Sequence, residues 1–418
     1  MSDTHDTPAP PTSAPLSVAA PMLDYACNQK GCCCKGWLIP FMPSDVARMA
    51  ASLPEEERNA RLGWGLQLHL DADTGELNFI QLARTEPNDE CRFLEDHGTC
   101  ELHRRFGPQA LPDLCVAFPV TAYQVGEELE LHYEALCPSV LDRIADPRVP
   151  YQSVALDATL HPQLAARARS VLPQPLVRLG ELALGVEELR WMRQVALRAL
   201  GDTERPAIEH LSALSYAFDK VRAQRDVAAF ELRYDEPLEP FYDFLEYCAR
   251  IHASDILVGM WTRYRRFVWD FDRDDPRLSA TLEQHLDAWE EPLSLWMADA
   301  EVGLRPLLVR YLAHRYHSAF TRYQGEVMLS YGSAPLAYAL SIRLAAALSG
   351  VFSRATDVGL MKAALGWSEY TWRGLNVPAA ALPWFTPYSA PGQLFSFTPP
   401  EPPAQDAMDP GAKPTSPP

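Results

Sequence analysis

Eight of the nine cysteines of this 418-residue chain fall between Cys27 and Cys137. The run opens Cys27-Asn-Gln-Lys-Gly-Cys32-Cys33-Cys34 and continues with Cys91, Cys100, Cys115 and Cys137, while Cys248 stands apart. Thiols at this density either pair as disulfides or hold metal. The compartment decides between the two. The first residues, Met-Ser-Asp-Thr-His-Asp, are acidic and lack the basic and apolar regions of a secretion signal. There is also no run of about eighteen apolar residues to span a membrane. A cytoplasmic protein is expected, where thiols stay reduced, and a chain this long needs no disulfide staples. Metal ligation is therefore the favoured reading.

A tetrahedral zinc site or an iron–sulfur cluster takes about four thiolate or imidazole ligands. The cysteine-rich region offers eight cysteines together with His97, His103 and His132. One site is over-supplied, so either two sites exist or some of these cysteines are structural. Cys100-Glu-Leu-His103 has a spacing that zinc can use, and Cys137-Pro138 is like the pair that closes ferredoxin-type motifs. In an extended segment neighbours point to opposite faces. Cys32 and Cys34 would then share a face with Cys33 pointing away, unless a turn gathers two of them. Cys248, in an aromatic and helical context, reads as a small core residue.

The elements that must position these groups divide the chain in four. Residues 1–21 are rich in Pro, Ala, Ser and Thr and read as a disordered tail, as do residues 389–418. Residues 22–150 form the cysteine-cluster domain, with short strands, turns and short helices. Leu66, Leu68 and Leu70 alternate with polar residues, then a turn at Asp73-Thr74-Gly75 leads to Leu77 and Phe79, which predicts a hairpin. A second hairpin is expected from Val116–Gln124 and Leu129–Tyr133 around Gly126-Glu127. Ser44 is the expected N-cap of a helix over 45–52. Residues 151–388 carry helical spacing at 161–172, 177–200, 206–230, 238–253, 254–271, 277–299, 304–324 and 335–350. In the segment at 304–324, Leu308, Leu312, Ala319 and Tyr323 share one face, with Arg310, His314 and Arg322 off it. Pro306 is placed in its first turn, and Gly350 stops the helix after Ser349. The fold class is therefore α+β: a small Cys-rich metal-binding domain with short strands, then a larger all-α domain.

The formal charge of −18 excludes some partners. Phosphate backbones and anionic lipid surfaces are repelled at long range, and only mixed-charge segments are present, so neither nucleic acid nor membrane is an expected partner. A basic protein surface bearing lysines suits the charge better. No Gly-x-Gly-x-x-Gly follows a strand, so no Rossmann-type cofactor site is visible. The stretch from Trp261 to Trp269 reads as an amphipathic helix whose arginines face Asp270, Asp272 and Asp274, rather than as a ligand surface.

The cysteines come with a specific set of neighbours. Cys27, Gly31, Cys33, Cys34 and Trp37 are followed by Cys91, Phe93, Leu94, Gly98 and Cys100. Phe106, Gly107, Pro112, Cys115, Phe118, Pro119, Cys137 and Pro138 complete the series. Over about residues 22–142 this order resembles the cysteine-cluster family of zinc- or iron-chelating proteins, which includes the flagellin lysine-N-methylases. The long helical half is more similar to that methylase branch than to short stand-alone members. Lys30 stands where shorter members carry a second cysteine, and Cys32 is an added one. The resemblance implies Cys27, Cys33, Cys34, Cys91, Cys100, Cys115 and Cys137 as metal ligands, to zinc or to a 4Fe-4S iron–sulfur cluster. It also implies S-adenosylmethionine as methyl donor and a protein substrate with exposed lysines, flagellin in the relatives. The alternative is a non-enzymatic zinc- or iron-binding protein with a helical interaction domain.

Methyl transfer to lysine needs the neutral amine, so a site must desolvate the ammonium or supply a base. Tyr311, Tyr316, Tyr323 and Glu326 are candidates, each set against an ordinary place in the helical core. The chain has no Cys-x3-Cys-x2-Cys, the signature of radical S-adenosylmethionine chemistry, and a nitrogen nucleophile needs no radical.

Overall fold

A computed structural model describes residues 15–27, 34, 39–63, 65–71, 74–82, 90–95, 98–157, 159, 164, 171–172, 178–179, 182–250, 254–268, 276–288, 293–318, 327–353 and 355–374. The chain is mixed α and β, with its strands early and its long helices late.

Both expected hairpins form. Strands β3 (Leu66–Leu70) and β4 (Leu77–Leu82) pair antiparallel with Leu68 opposite Ile80, and β2 (Pro40–Phe41) adds to the far side of β4. Helix α1 (Pro43–Ser52) begins earlier than expected: Pro43 is its first residue and Met42, not Ser44, precedes it. Proline suits that position because its fixed φ is helical and its missing N–H would have no partner there. The Asp45 carboxylate then accepts the Met42 N–H and the Asp113 N–H, each at 3.0 Å, tying α1 to a distant turn. Short helices α2 (Glu55–Arg58), α3 (Glu101–Phe106) and α4 (Asp113–Ala117) complete this part. Their apolar residues form a small cluster around Phe41, Met49, Ile80, Phe93, Leu102 and Leu111.

A five-stranded sheet has the order β7-β1-β6-β5-β8. It contains the second hairpin, β5 (Val120–Val125) with β6 (Glu128–Tyr133), and the outer strands β7 (Ser153–Leu156) and β8 (Val171–Leu172). Strand β1 (Leu16–Ala19) lies parallel to β6 and antiparallel to β7. This corrects the expected tail over residues 1–21. Leu16 and Val18 alternate with Ser17 and are fully buried, so the Pro-rich composition ends before the chain enters the sheet. Residues 1–14 and 375–418, including the expected tail at 389–418, lie outside the described residues.

Helix α5 (Pro138–Ala145) follows the sheet's hairpin. The region after 151 is not all helix: β7 and β8 lie in it, β8 at the end of the segment expected to be helical over 161–172, and short strands β9 (Arg178–Leu179) and β10 (Leu182–Ala183) occupy part of the segment expected to be helical over 177–200. Helices α6 (Val186–Ala199), α7 (Ala207–Gln224), α8 (Glu239–Arg250) and α9 (Ser254–Val268) follow, the last two close to their expected bounds, whereas α10 (Pro276–Asp287) covers only the first part of the segment expected to be helical over 277–299. The last three are α11 (Leu293–Ser318), α12 (Val327–Phe352) and α13 (Val358–Gly374). Pro306 lies inside α11 rather than in its first turn, and α12 passes Gly350 to end at Phe352.

The larger apolar cluster unites β1, β5, β6 and α5 with the helices, so its core draws on residues from both sides of position 150. Buried arginines satisfy helix ends within it. Arg343 of α12 donates to the carbonyls of Ala249 (2.8 Å) and Leu286 (3.0 Å), near the C-termini of α8 and α10. Arg310 of α11 does the same for Ile144 (2.6 Å) at the end of α5 and for Val149 (2.7 Å). Guanidinium groups at these carbonyls meet the negative ends of the helix dipoles.

Candidate functional site

The described cysteines fall in two neighbourhoods. Cys91, Cys100 and Cys115 pack at the margin of the small apolar cluster, and the Cys91 N–H donates to the carbonyl of Cys34 at 2.7 Å. Between Cys91 and Cys100 the chain folds back on itself. Leu94 bridges Cys100, Gly98 donates to the Glu95 carbonyl at 2.8 Å, and Glu95 to that of Thr99 at 2.9 Å. Gly98 has φ of +88°, which accounts for a glycine at this point of the motif. Cys115 sits on α4, just before the cis Phe118–Pro119 peptide. Burial raises the Cys100 thiol above its ordinary value, backbone hydrogen bonds from His103 and Leu102 oppose this, and Glu95 and Glu101 add to the rise.

Cys137 belongs elsewhere. It precedes α5, whose first residue is Pro138, and it lies in the larger core with the Tyr25 hydroxyl 3.7 Å from its sulfur. Cys27 is exposed two residues beyond Tyr25. Cys32, Cys33, Trp37 and His97 lie outside the described residues. His103 is exposed on α3. Among the described residues no group of three or more His, Cys, Asp and Glu side chains is arranged to hold a metal ion, and no disulfide joins two cysteines. Cys91, Cys100 and Cys115 thus border one apolar cluster, and Cys33 adjoins Cys34 in the chain. Cys248 is fully buried in the helical core, where burial pushes its thiol well up, as expected of an inert packing residue.

A second constellation has no counterpart in the cysteine pattern. The pairings Ser17↔Glu130, Thr121↔His132 and Tyr123↔Glu130 place these side chains on one face of the sheet. The other face carries Leu16, Val18, Ala122, Leu129, Leu131 and Tyr133. Both faces of β6 are covered, so its polar side is interior: Glu130 is 1% exposed and His132 3%. Arg193 of α6 forms a two-pronged ion pair with Glu130, at 2.6 and 2.7 Å. His132 Nε2 lies 3.4 Å from the same carboxylate, and its ring is 5.7 Å from that of His317 on α11. One helical turn before His317, His314 Nδ1 lies 2.5 Å from the hydroxyl of Tyr151. Burial alone would raise the Glu130 carboxyl, but the charge and hydrogen bonds of Arg193, with His132, hold it well below the usual carboxylate range. Burial drives His317 the other way, well below the ordinary histidine value, and Arg193 and His132 repel its charged form further. The Nε2 atom of His317 is buried with no hydrogen-bond partner among the described residues.

Of the residues proposed to handle a lysine amine, Tyr311 and Tyr316 are fully buried on α11. The Tyr311 hydroxyl donates to Glu369 of α13 at 2.7 Å, and Arg315 pairs with the same carboxylate. Burial, followed by the Glu369 charge, raises the Tyr311 phenol, so it stays protonated as a donor. Tyr323 and Glu326 lie outside the described residues. Trp261 and Tyr264 of the Trp261–Trp269 stretch are core residues, with Trp261 packed 4.8 Å from Trp367, while Trp269 is outside the described residues.

The polar cluster escapes sequence reading because α11 reads as amphipathic. Arg310 and His314, assigned to the side away from the apolar face, are buried under the sheet and α5. Arg310, His314 and His317, spaced i, i+4 and i+7, share one polar face of α11, and that face is buried. No family model, curated protein or solved structure matches the chain. Among the described residues, no helix is long and apolar enough to cross a membrane.

Proposed function

We propose that this is a metal-binding cysteine-cluster protein that transfers a methyl group from S-adenosylmethionine to lysine side chains of another protein, in a reducing cytoplasm. The observation that supports the metal-binding part is that Cys91, Cys100 and Cys115, from two separate stretches of chain, border one small apolar cluster, with the backbone of Cys91 bonded to that of Cys34. Among the described residues eleven buried side chains make up this cluster, and a metal tying the surrounding loops together would stabilise it. The bound ion or 4Fe-4S cluster would supply that cross-link. The transfer reaction rests on the sequence resemblance, with flagellin the substrate class it implies.

Anaerobic purification with metal analysis and an absorption spectrum tests the first part. Iron with absorption near 400 nm, or stoichiometric zinc in a colourless protein, is expected, and serine at Cys91, Cys100 and Cys115 should remove it. A chain purified without either metal would sink the reading. Calorimetry with S-adenosylmethionine tests the second part. No binding by metal-loaded protein leaves the non-enzymatic alternative, a metal-stabilised module joined to a helical interaction domain.

A further inference from the structure

We propose that the cluster joining β6 to α6 and α11 is an acid-sensitive lock, in which one proton taken up by His317 opens the junction between the sheet and these two helices. The geometry makes the proton costly to hold. His317 is 3% exposed, and its Nε2 faces no acceptor among the described residues. Around it stand Arg193 from α6, Glu130 and His132 from β6, and His314 one turn back on its own helix. Tyr151, before β7, has its ring 6.2 Å away, and Tyr123 of β5 lies against His132. Glu130 is the carboxylate in this set, and Arg193 and His132 already engage it. At neutral pH the charges of Glu130 and Arg193 cancel. A proton on His317 adds a positive charge beside a guanidinium, in an interior where an uncompensated charge is strongly unfavourable.

The sign follows from burial, which keeps His317 neutral in the folded chain to a pH well below the ordinary histidine value. Above about pH 6.5 the folded and unfolded forms are both neutral and the group contributes nothing. As pH falls through that value, the open form binds a proton that the closed form refuses. Opening then becomes about tenfold more favourable per pH unit. Glu130 acts in a separate window: its carboxyl is held low, so its contribution is lost only below about pH 4.5. His210 of α7 is also lowered by burial but sits apart, bonded to the Asp202 carbonyl.

Hydrogen exchange of the full chain at pH 7.5 and pH 5.5, corrected for intrinsic rates, tests the lock. Amides of β6, α6 and α11 should lose about tenfold in protection while those of α9 and α10 keep theirs. In His317→Gln the loss should disappear. An equal loss across α9 and α10, or an unchanged loss in His317→Gln, overturns the proposal. Should that variant not fold, histidine ring resonances of the unaltered chain decide. A His317 ring that stays neutral until the junction opens supports the lock, and one that titrates near pH 6.5 in the closed form refutes it.

Discussion

Replacing Arg193 by methionine removes one half of a buried ion pair on the sheet. Both partners are buried, with the guanidinium gripping the Glu130 carboxylate at 2.6 and 2.7 Å. Methionine fills much of the same volume but leaves the carboxylate with the weaker 3.4 Å contact to His132. Breaking one side of such a pair costs about 3–5 kcal/mol, a factor of a few hundred to several thousand in the unfolding equilibrium. The cost should depend on pH in a defined direction. In the native chain Glu130 is held below its ordinary value, so its contribution is present above about pH 4.5 and lost as pH falls further. Without Arg193 burial dominates, the folded carboxyl is protonated at neutral pH, and the deficit against the native chain shrinks as pH is lowered toward 4.5. Urea unfolding followed by far-ultraviolet circular dichroism at pH 7.5 and pH 5 measures both effects. The double change Arg193→Met with Glu130→Leu should recover most of the loss, because an apolar pair can replace a buried ion pair at little cost. A single variant within about 1 kcal/mol of the native chain, or a double variant no better than the single, would falsify this account of the pair.

Two further substitutions probe the helical half. Gly366→Ala should destabilise by about 1–3 kcal/mol, because the added methyl would overlap the hydroxyl of the fully buried Tyr264 and lie 3.2 Å from Leu141 Cδ1. An unchanged thermal midpoint would show that α9 and α13 have room to part. Arg343→Met should cost about 2–4 kcal/mol by stranding the Ala249 and Leu286 carbonyls, with Arg343→Lys intermediate since one ammonium cannot span both. Limited proteolysis should then cut first near the ends of α8 and α10, and a pattern identical to the native chain would count against the clamp.

Local patterns determined much of this protein from sequence. The two hairpins follow from alternating residues around turn sequences, and most helices from 3.6-residue spacing, because each signal is contained within one element. The burial of Cys248 was also legible, from its aromatic and helical context. The cysteines announced themselves by type and clustering. Their division into a group around Cys91 and a separate Cys137 beside Tyr25 depends on which core each loop meets, and that is not written in spacing.

Tertiary structure alone decided where polar faces point. Ser17, Glu130, His132, Arg310 and His314 each occupy the polar side of an alternating or helical pattern, the side that water usually takes. Here β1 inserts beside β6, and α6 and α11 cover the face that the pattern leaves polar. Once water is excluded, each charge must find its partner inside, and Glu130 finds Arg193 across 63 positions of chain. Periodicity reports the chemistry of a face; only the packing of a second layer determines whether that face meets solvent or the core.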